Sequence, residues 1–246
     1  MASLAMSKKQ WPFAPQAITN CILWLDAADT SSYTPSASIS TWRNKGYSGG
    51  TATTTSGTVG STTAEINGLP AMSFAANTYM TMSSMTFAQT TRTVFVVVNN
   101  GASGTLRRYM CTAGAGSIDS YITTSGSGTD LEFSYNGNNC YITASPYPIY
   151  NTTSIICGTT LSTNGGLFVN GLAQTPYSTS TPGTFGTGAT TTQTIGYSTT
   201  GAFVLGEAMI FDGGITDIQR QQVEGYLAAK WGLQSLLPAT HPYFTL

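Results

Sequence analysis

The sequence predicts an all-β sandwich closed by one C-terminal α-helix. Short runs of β-branched and aromatic residues recur along the chain, separated by Asn-Gly and Gly-Gly turns. Of 246 residues, 42 are Thr and 26 are Ser, while only 8% are charged, so hydroxyls take the solvating place of charges. Thr is β-branched and suits the solvent face of a strand. One stretch alone, residues 216–232, carries the start, the spacing and the stop of a helix.

The strands are expected in the following order. Ile22–Leu25 comes first, and Ala71–Phe74 follows the Asn67-Gly68 turn. Thr93–Val98 ends in Asn99-Asn100-Gly101, and its nearly continuous apolar run suits a strand buried between two sheets. Tyr121–Thr123 and Leu131–Tyr135 flank a Gly/Ser loop, and Tyr141–Thr143 follows. Ser154–Leu161 and Gly166–Val169 lead into Asn170-Gly171, a type I′ hairpin signal. Gln193–Tyr197 and Phe203–Phe211 complete the set, with residues 48–63 and 178–192 read as surface loops.

Thr216 then sits at the N-cap of the helix, and Gln219 three residues on completes a capping box. Val223, Tyr226, Leu227 and Trp231 fall on one face. Gly232 supplies a left-handed stop, and Pro238 forbids resumption. Such a helix is expected to cap an open end or edge of the sandwich. Gly225 would keep it close to the sheet, and His241-Pro242-Tyr243 would pin the tail.

Residues 1–19 read as an N-terminal arm and residues 20–246 as a single domain. The arm carries Trp11 and Phe13, which either fold back or make an assembly contact with a neighbouring subunit. Nine basic against ten acidic residues, without a basic cluster, argue against nucleic acid. Arg107-Arg108 reads as a solvated strand edge. The longest apolar run, Val94–Val98, is too short to insert in a membrane, and no apolar segment of a signal peptide follows Lys8-Lys9. Cys21, Cys111, Cys140 and Cys157 show no metal or redox spacing, and are expected to be reduced and partly in the core.

The chain also resembles a known family. Leu23-Trp24-Leu25-Asp26-Ala27-Ala28-Asp29 is followed by Trp42-Arg43-Asn44-Lys45-Gly46 and by Asn67-Gly68-Leu69-Pro70-Ala71-Met72-Ser73-Phe74. It closes with Gly206-Glu207, Gly225-Tyr226-Leu227-Ala228-Ala229-Lys230-Trp231-Gly232-Leu233, Leu237-Pro238 and His241-Pro242-Tyr243. In that order these segments resemble the laminin-G-like, concanavalin A-like lectin family found in large DNA viruses and marine bacteria. The resemblance implies a concanavalin A-like antiparallel β-sandwich (jelly roll) with one C-terminal α-helix. Asn44 stands where that family usually has Asp. Function does not follow from fold.

Candidate chemistry is sparse. Glycosidases on such sandwiches use a Glu-x-Asp-x-(x)-Glu strand. Asp130-Leu131-Glu132 offers only two of the acids, so no catalytic residue is assigned and the chain reads as non-enzymatic. The single His241 excludes multi-histidine sites. Asp26, Asp29 and Asp212 do not form a dense acidic loop, so no metal and no cofactor is expected. Tyr135, Asn136, Asn138 and Tyr141 combine aromatic faces with amides in one hairpin, the composition for carbohydrate binding. Ser145–Asn151 has a similar composition, and Asn151-Thr152-Thr153 is a glycosylation sequon if the chain is exported.

Two functions are therefore expected. The first is a structural or surface protein, a minor capsid or fibre component of a large DNA virus, located in the virion. Its partners would be other structural proteins or copies of itself. The alternative is an extracellular carbohydrate-binding adhesion module with glycans as partners.

Overall fold

Backbone pairing sorts the strands into two large antiparallel sheets and a small ribbon of Glu65–Ile66 with Leu69–Pro70. The computed structural model describes residues 13–61, 65–101, 106–112, 120–124, 130–135, 138–143, 150–160, 166–178, 190–198 and 201–245. Among the described residues, one sheet has eight strands. Its centre is Thr153–Thr159, Arg92–Asn100 and Phe203–Asp212 side by side, with Cys21–Asp26 also paired to Phe203–Asp212. The other sheet has nine strands. Its central run is Leu131–Tyr135, Ser120–Thr124, Arg107–Thr112, Thr190–Ser198, Tyr79–Thr86, Thr51–Ser56 and Thr41–Arg43. This is the expected concanavalin A-like sandwich.

The two sheets enclose one core. Val94, Val96, Val98, Leu23 and Leu25 meet Met80, Met82, Met110, Ile122, Leu131 and Phe133 there, all at most 3% exposed. Phe95 and Val97, expected between the sheets, lie instead on the other face of their strand. They form a second core with Trp24, Met209, Phe211, Val223, Leu227 and Trp231. The reason is the helix Asp217–Trp231, which lies on the outer face of the eight-stranded sheet and does not cap an edge or end. A strand covered by a sheet on one side and a helix on the other is buried on both faces, which is why the run Val94–Val98 shows no alternation.

The helix ends obey local chemistry. Thr216 Oγ1 accepts the Gln219 N–H and Gln219 Oε1 accepts the Thr216 N–H, while Gly232 at φ 67° closes the other end. Gly225 faces the tail: a Cβ there would stand 2.6 Å from Tyr243 Cγ, so the contact spared is with Tyr243 and not with the sheet.

Two further expectations change. Residues 48–63, read as a loop, contain the strand Thr51–Ser56, and the alternating segment Tyr79–Thr86 is a strand that pairs with it. Arg107-Arg108 is not a solvated edge, because Arg107–Thr112 runs between two other strands and Arg107 is 2% exposed. Phe13 sets its ring edge-on to Tyr226 of its own helix, 6.1 Å between centroids, while Trp11 lies outside the described residues.

Candidate functional site

The recurring motif residues from both ends of the chain converge on one carboxylate. Glu207, 1% exposed, accepts from Trp24 Nε1 (2.6 Å) and Tyr226 Oη (2.9 Å) on one oxygen. Its other oxygen accepts from Lys230 Nζ and Trp231 Nε1, each at 2.8 Å. Burial pushes the Glu207 carboxyl above the usual range, and Lys230 pulls the other way. Lys230 also bonds Asp26, which shares its second oxygen with Lys45 at 2.8 Å. Lys45 reaches Asp29 at 2.9 Å and lies 4.0 Å over the Trp24 ring. With each oxygen of Glu207 already accepting two donors, this cluster works as a latch between sheet and helix.

Asn44 belongs to the same construction. Its Oδ1 accepts the N–H groups of Trp24 and Gly46, and its Nδ2 donates to the carbonyls of Ile22 and Gly49. A carboxylate could not make those two donations, which gives the Asn its physical reason.

The other acidic candidates and His241 are similarly engaged. Asp212 accepts the N–H groups of Ala88 and Gln89 and pairs with Arg92 at 3.1 Å. Asp29 accepts from the side chain and backbone of Ser31 as well as from Lys45. His241 Nε2 stands 3.0 Å from Glu224, which Arg220 also holds at 2.7 Å. The Tyr243 N–H donates to His241 Nδ1, so the imidazole carries its proton on Nε2 toward Glu224. The tail is pinned as expected.

A different set of side chains meets on the outer face of the nine-stranded sheet. Leu131 and Phe133 point into the core, so Glu132 between them points out, while Thr123 beside Ile122 is 2% exposed and donates its hydroxyl to the Arg107 carbonyl. Cross-strand register then sets Glu132 opposite Thr123, Thr123 opposite Arg108, and Arg108 opposite Tyr197. The Arg108 guanidinium lies 5.5 Å from the Tyr197 ring. Tyr197 in turn meets Tyr79 edge to face at 5.9 Å. Gly196, beside Tyr197, lies at φ 77° and leaves room for Phe74, whose ring a Cβ there would strike at 2.2 Å.

Tyr79, Tyr197, Arg108 and Glu132 are all partly exposed, and Asp130 stands beside them on the strand start. Burial and the Asp130 charge push the Glu132 carboxyl up, with Arg108 pulling it down. Aromatic faces can stack on the C–H face of a sugar ring. A guanidinium and a carboxylate beside them donate to and accept from its hydroxyls. Sequence reasoning met Asp130 and Glu132 only as a failed catalytic pattern. It missed Tyr79, Arg108 and Tyr197, which stand on separate strands and meet only through register.

The hairpin picked out for sugar binding belongs to the same sheet. Tyr135 pairs with Asn138, and Tyr141 pairs with Phe133. Asn136 and the side chains of Tyr135, Asn138 and Tyr141 lie outside the described residues.

The fold is an antiparallel β-sandwich with a helix latched to one sheet. No family model and no curated protein sequence matches the chain, so the finer laminin-G-like assignment gains no support. Solved structures do match. The sialidase of Trypanosoma rangeli in complex with sialic acid is similar at a TM-score of 0.56 and 12% identity, over 86% of this chain and 33% of the sialidase. The ligand binding domain of botulinum neurotoxin serotype D in complex with N-acetylneuraminic acid is similar at 0.55 and 10%, over 89% of this chain and 52% of that one. The binding domain of botulinum neurotoxin DC in complex with SialylT is similar at 0.55 and 11%, over 85% and 52%. The chain thus spans about a third of the sialidase and about half of the toxin domains. At these identities the likeness is one of fold.

Two expectations are corrected by these structures. The exclusion of enzymatic activity does not stand, because it rested on one missing acid and proteins named as sialidases share this fold. The capsid reading draws no support from them, whereas complexes with sugars recur among them.

Proposed function

We propose that the chain binds carbohydrate on the outer face of the nine-stranded sheet. The observation that carries this reading is the cross-strand row of Tyr79, Tyr197, Arg108 and Glu132, partly exposed and in contact or in register. The rings supply stacking faces and the charged pair reads hydroxyls beside them. Sugar complexes among structures of the same fold support the assignment. The chain then works outside a cell, where glycans are displayed.

The test is a glycan array probed with the wild-type chain and with Tyr197→Ala, after circular dichroism has shown that both fold. Binding that falls about tenfold or more in the variant supports the site, since an aromatic platform contributes on the order of 1 kcal/mol or more. An array blank at high protein concentration removes the reading. Binding should survive EDTA, because Asp26, Asp29 and Asp212 already spend their oxygens on Lys45, Lys230, Arg92 and backbone N–H groups.

A further inference from the structure

The aromatic row does not stop at Tyr79. Met80 and Met82 point into the core, so Thr81 shares the outer face with Tyr79. Ala52 and Trp42, both buried, place Thr53 and Thr41 outward on the next two strands. Register sets Thr81 opposite Thr53 and Thr53 opposite Thr41, which lies on the edge strand of the sheet. Thr55 Oγ1 stands 2.6 Å from Thr81 Oγ1, which stitches the hydroxyls together beside Tyr79. Thr41, Thr53 and Thr55 are exposed and Thr81 is partly so. Toward the sheet centre the same hydroxyl row is closed over, since Thr194 and Cys111, the next partners after Thr81, are fully buried. The open surface therefore steps from the threonines to Tyr79, and on through Tyr197 to Arg108, where buried Thr123 separates it from Glu132.

That lane crosses five adjacent strands, four steps at the usual inter-strand spacing, or ~19 Å. One terminal sugar would use only the Arg108–Tyr197 corner. The rest of the lane would be left without a purpose. Each threonine hydroxyl offers one donor and two acceptor lone pairs, the complement of another hydroxyl and not of a charge. From Tyr79 to Thr41 the lane presents such hydroxyls one strand after another.

We infer that the ligand is an extended run of a neutral polysaccharide, laid across the strands from Arg108 to Thr41 with Tyr79 and Tyr197 beneath it. This rests on the carbohydrate reading and narrows it: the site takes an internal stretch of chain and not a single acidic end group.

Titration calorimetry on the full chain tests this. The probes are cellohexaose, xylohexaose, mannohexaose and laminarihexaose with their monosaccharides, and N-acetylneuraminic acid and 3′-sialyllactose as acidic short ligands. One neutral hexasaccharide should bind about tenfold or more tighter than its monosaccharide. The double variant Thr53→Val, Thr81→Val should weaken that hexasaccharide about tenfold, as for one or two lost hydrogen bonds, and leave the melting temperature unchanged. Tyr197→Ala should weaken it too. If an acidic short ligand binds as tightly as any hexasaccharide and the threonine variant matches wild type, the chain-binding inference falls while the carbohydrate reading stands. If no neutral hexasaccharide binds, the inference falls as well. Only a blank glycan array, or a Tyr197→Ala variant that binds like wild type, takes the carbohydrate reading down with it.

Discussion

Trp24 and Trp231, from opposite ends of the chain, donate their indole N–H groups to the two oxygens of a single carboxylate, Glu207. The first strand, the last strand and the helix are thereby tied at one buried point. Lys230 and Tyr226 complete the set from the helix side.

Glu207→Gln should therefore be costly although it is nearly isosteric. Its amide nitrogen would face indole or lysine donors, and Lys230 would lose part of its counter-charge. The expected loss is about 3–5 kcal/mol, the range for breaking a buried pair by removing one partner. Denaturant titration measures it. A loss under about 1 kcal/mol, the scale of a surface ion pair, would show that the cluster is open to water.

Gly225→Ala tests the tail contact. Helix propensity alone favours the alanine by about 1 kcal/mol. Its Cβ would nevertheless meet Tyr243 at 2.6 Å, so the single variant should be destabilised and the tail displaced. Combined with Tyr243→Ala, the same substitution should regain its propensity advantage. A double-mutant cycle with no coupling energy would rule the contact out.

Acid stability should report Asp29. Hydrogen bonds from Ser31 and then Lys45 hold its pKa down at about 2, from an ordinary 3.8. A depressed folded-state pKa stabilises above the unfolded value, and that stability is lost as pH falls toward about 2. Glu132 has the opposite sign: its raised pKa favours folding at low pH, and that contribution is lost as pH rises through the folded value. Asp29→Asn should flatten the acid limb of the unfolding curve, and Glu132→Gln the limb at higher pH. Superimposable pH profiles would contradict both assignments.

Thiol reactivity should follow unfolding. Cys21, Cys111 and Cys157 are free and buried. Burial, then the Glu207 charge, pushes the Cys21 thiol up to about 12, and burial pushes Cys111 to about 11. Little thiolate is present at neutral pH, and access is blocked. Ellman's reagent should label these three only as the protein unfolds. Rapid labelling of more than one thiol in the native protein would mean that the cores open locally.

What the amino-acid sequence settled by itself is what short-range chemistry settles. Thr216, Gln219 and Gly232 define the helix ends through bonds that reach three or four residues, so they could be read directly. Apolar strands such as Arg92–Asn100 and Phe203–Asp212 announced themselves by composition. The strand Thr51–Ser56 did not, because a run of threonines suits a loop as well as a solvent-facing strand until Tyr79–Thr86 pairs with it. Only the tertiary structure decided which face of the eight-stranded sheet the helix covers, since Phe95 and Val96 are equally apolar and differ in what packs on them. It alone assembled the candidate site. Tyr79, Arg108, Glu132 and Tyr197 come from four strands, and their proximity is a matter of register. The pairing of Tyr79–Thr86 and Arg107–Thr112 with Thr190–Ser198 joins strands far apart in sequence, so no turn between them fixes their register.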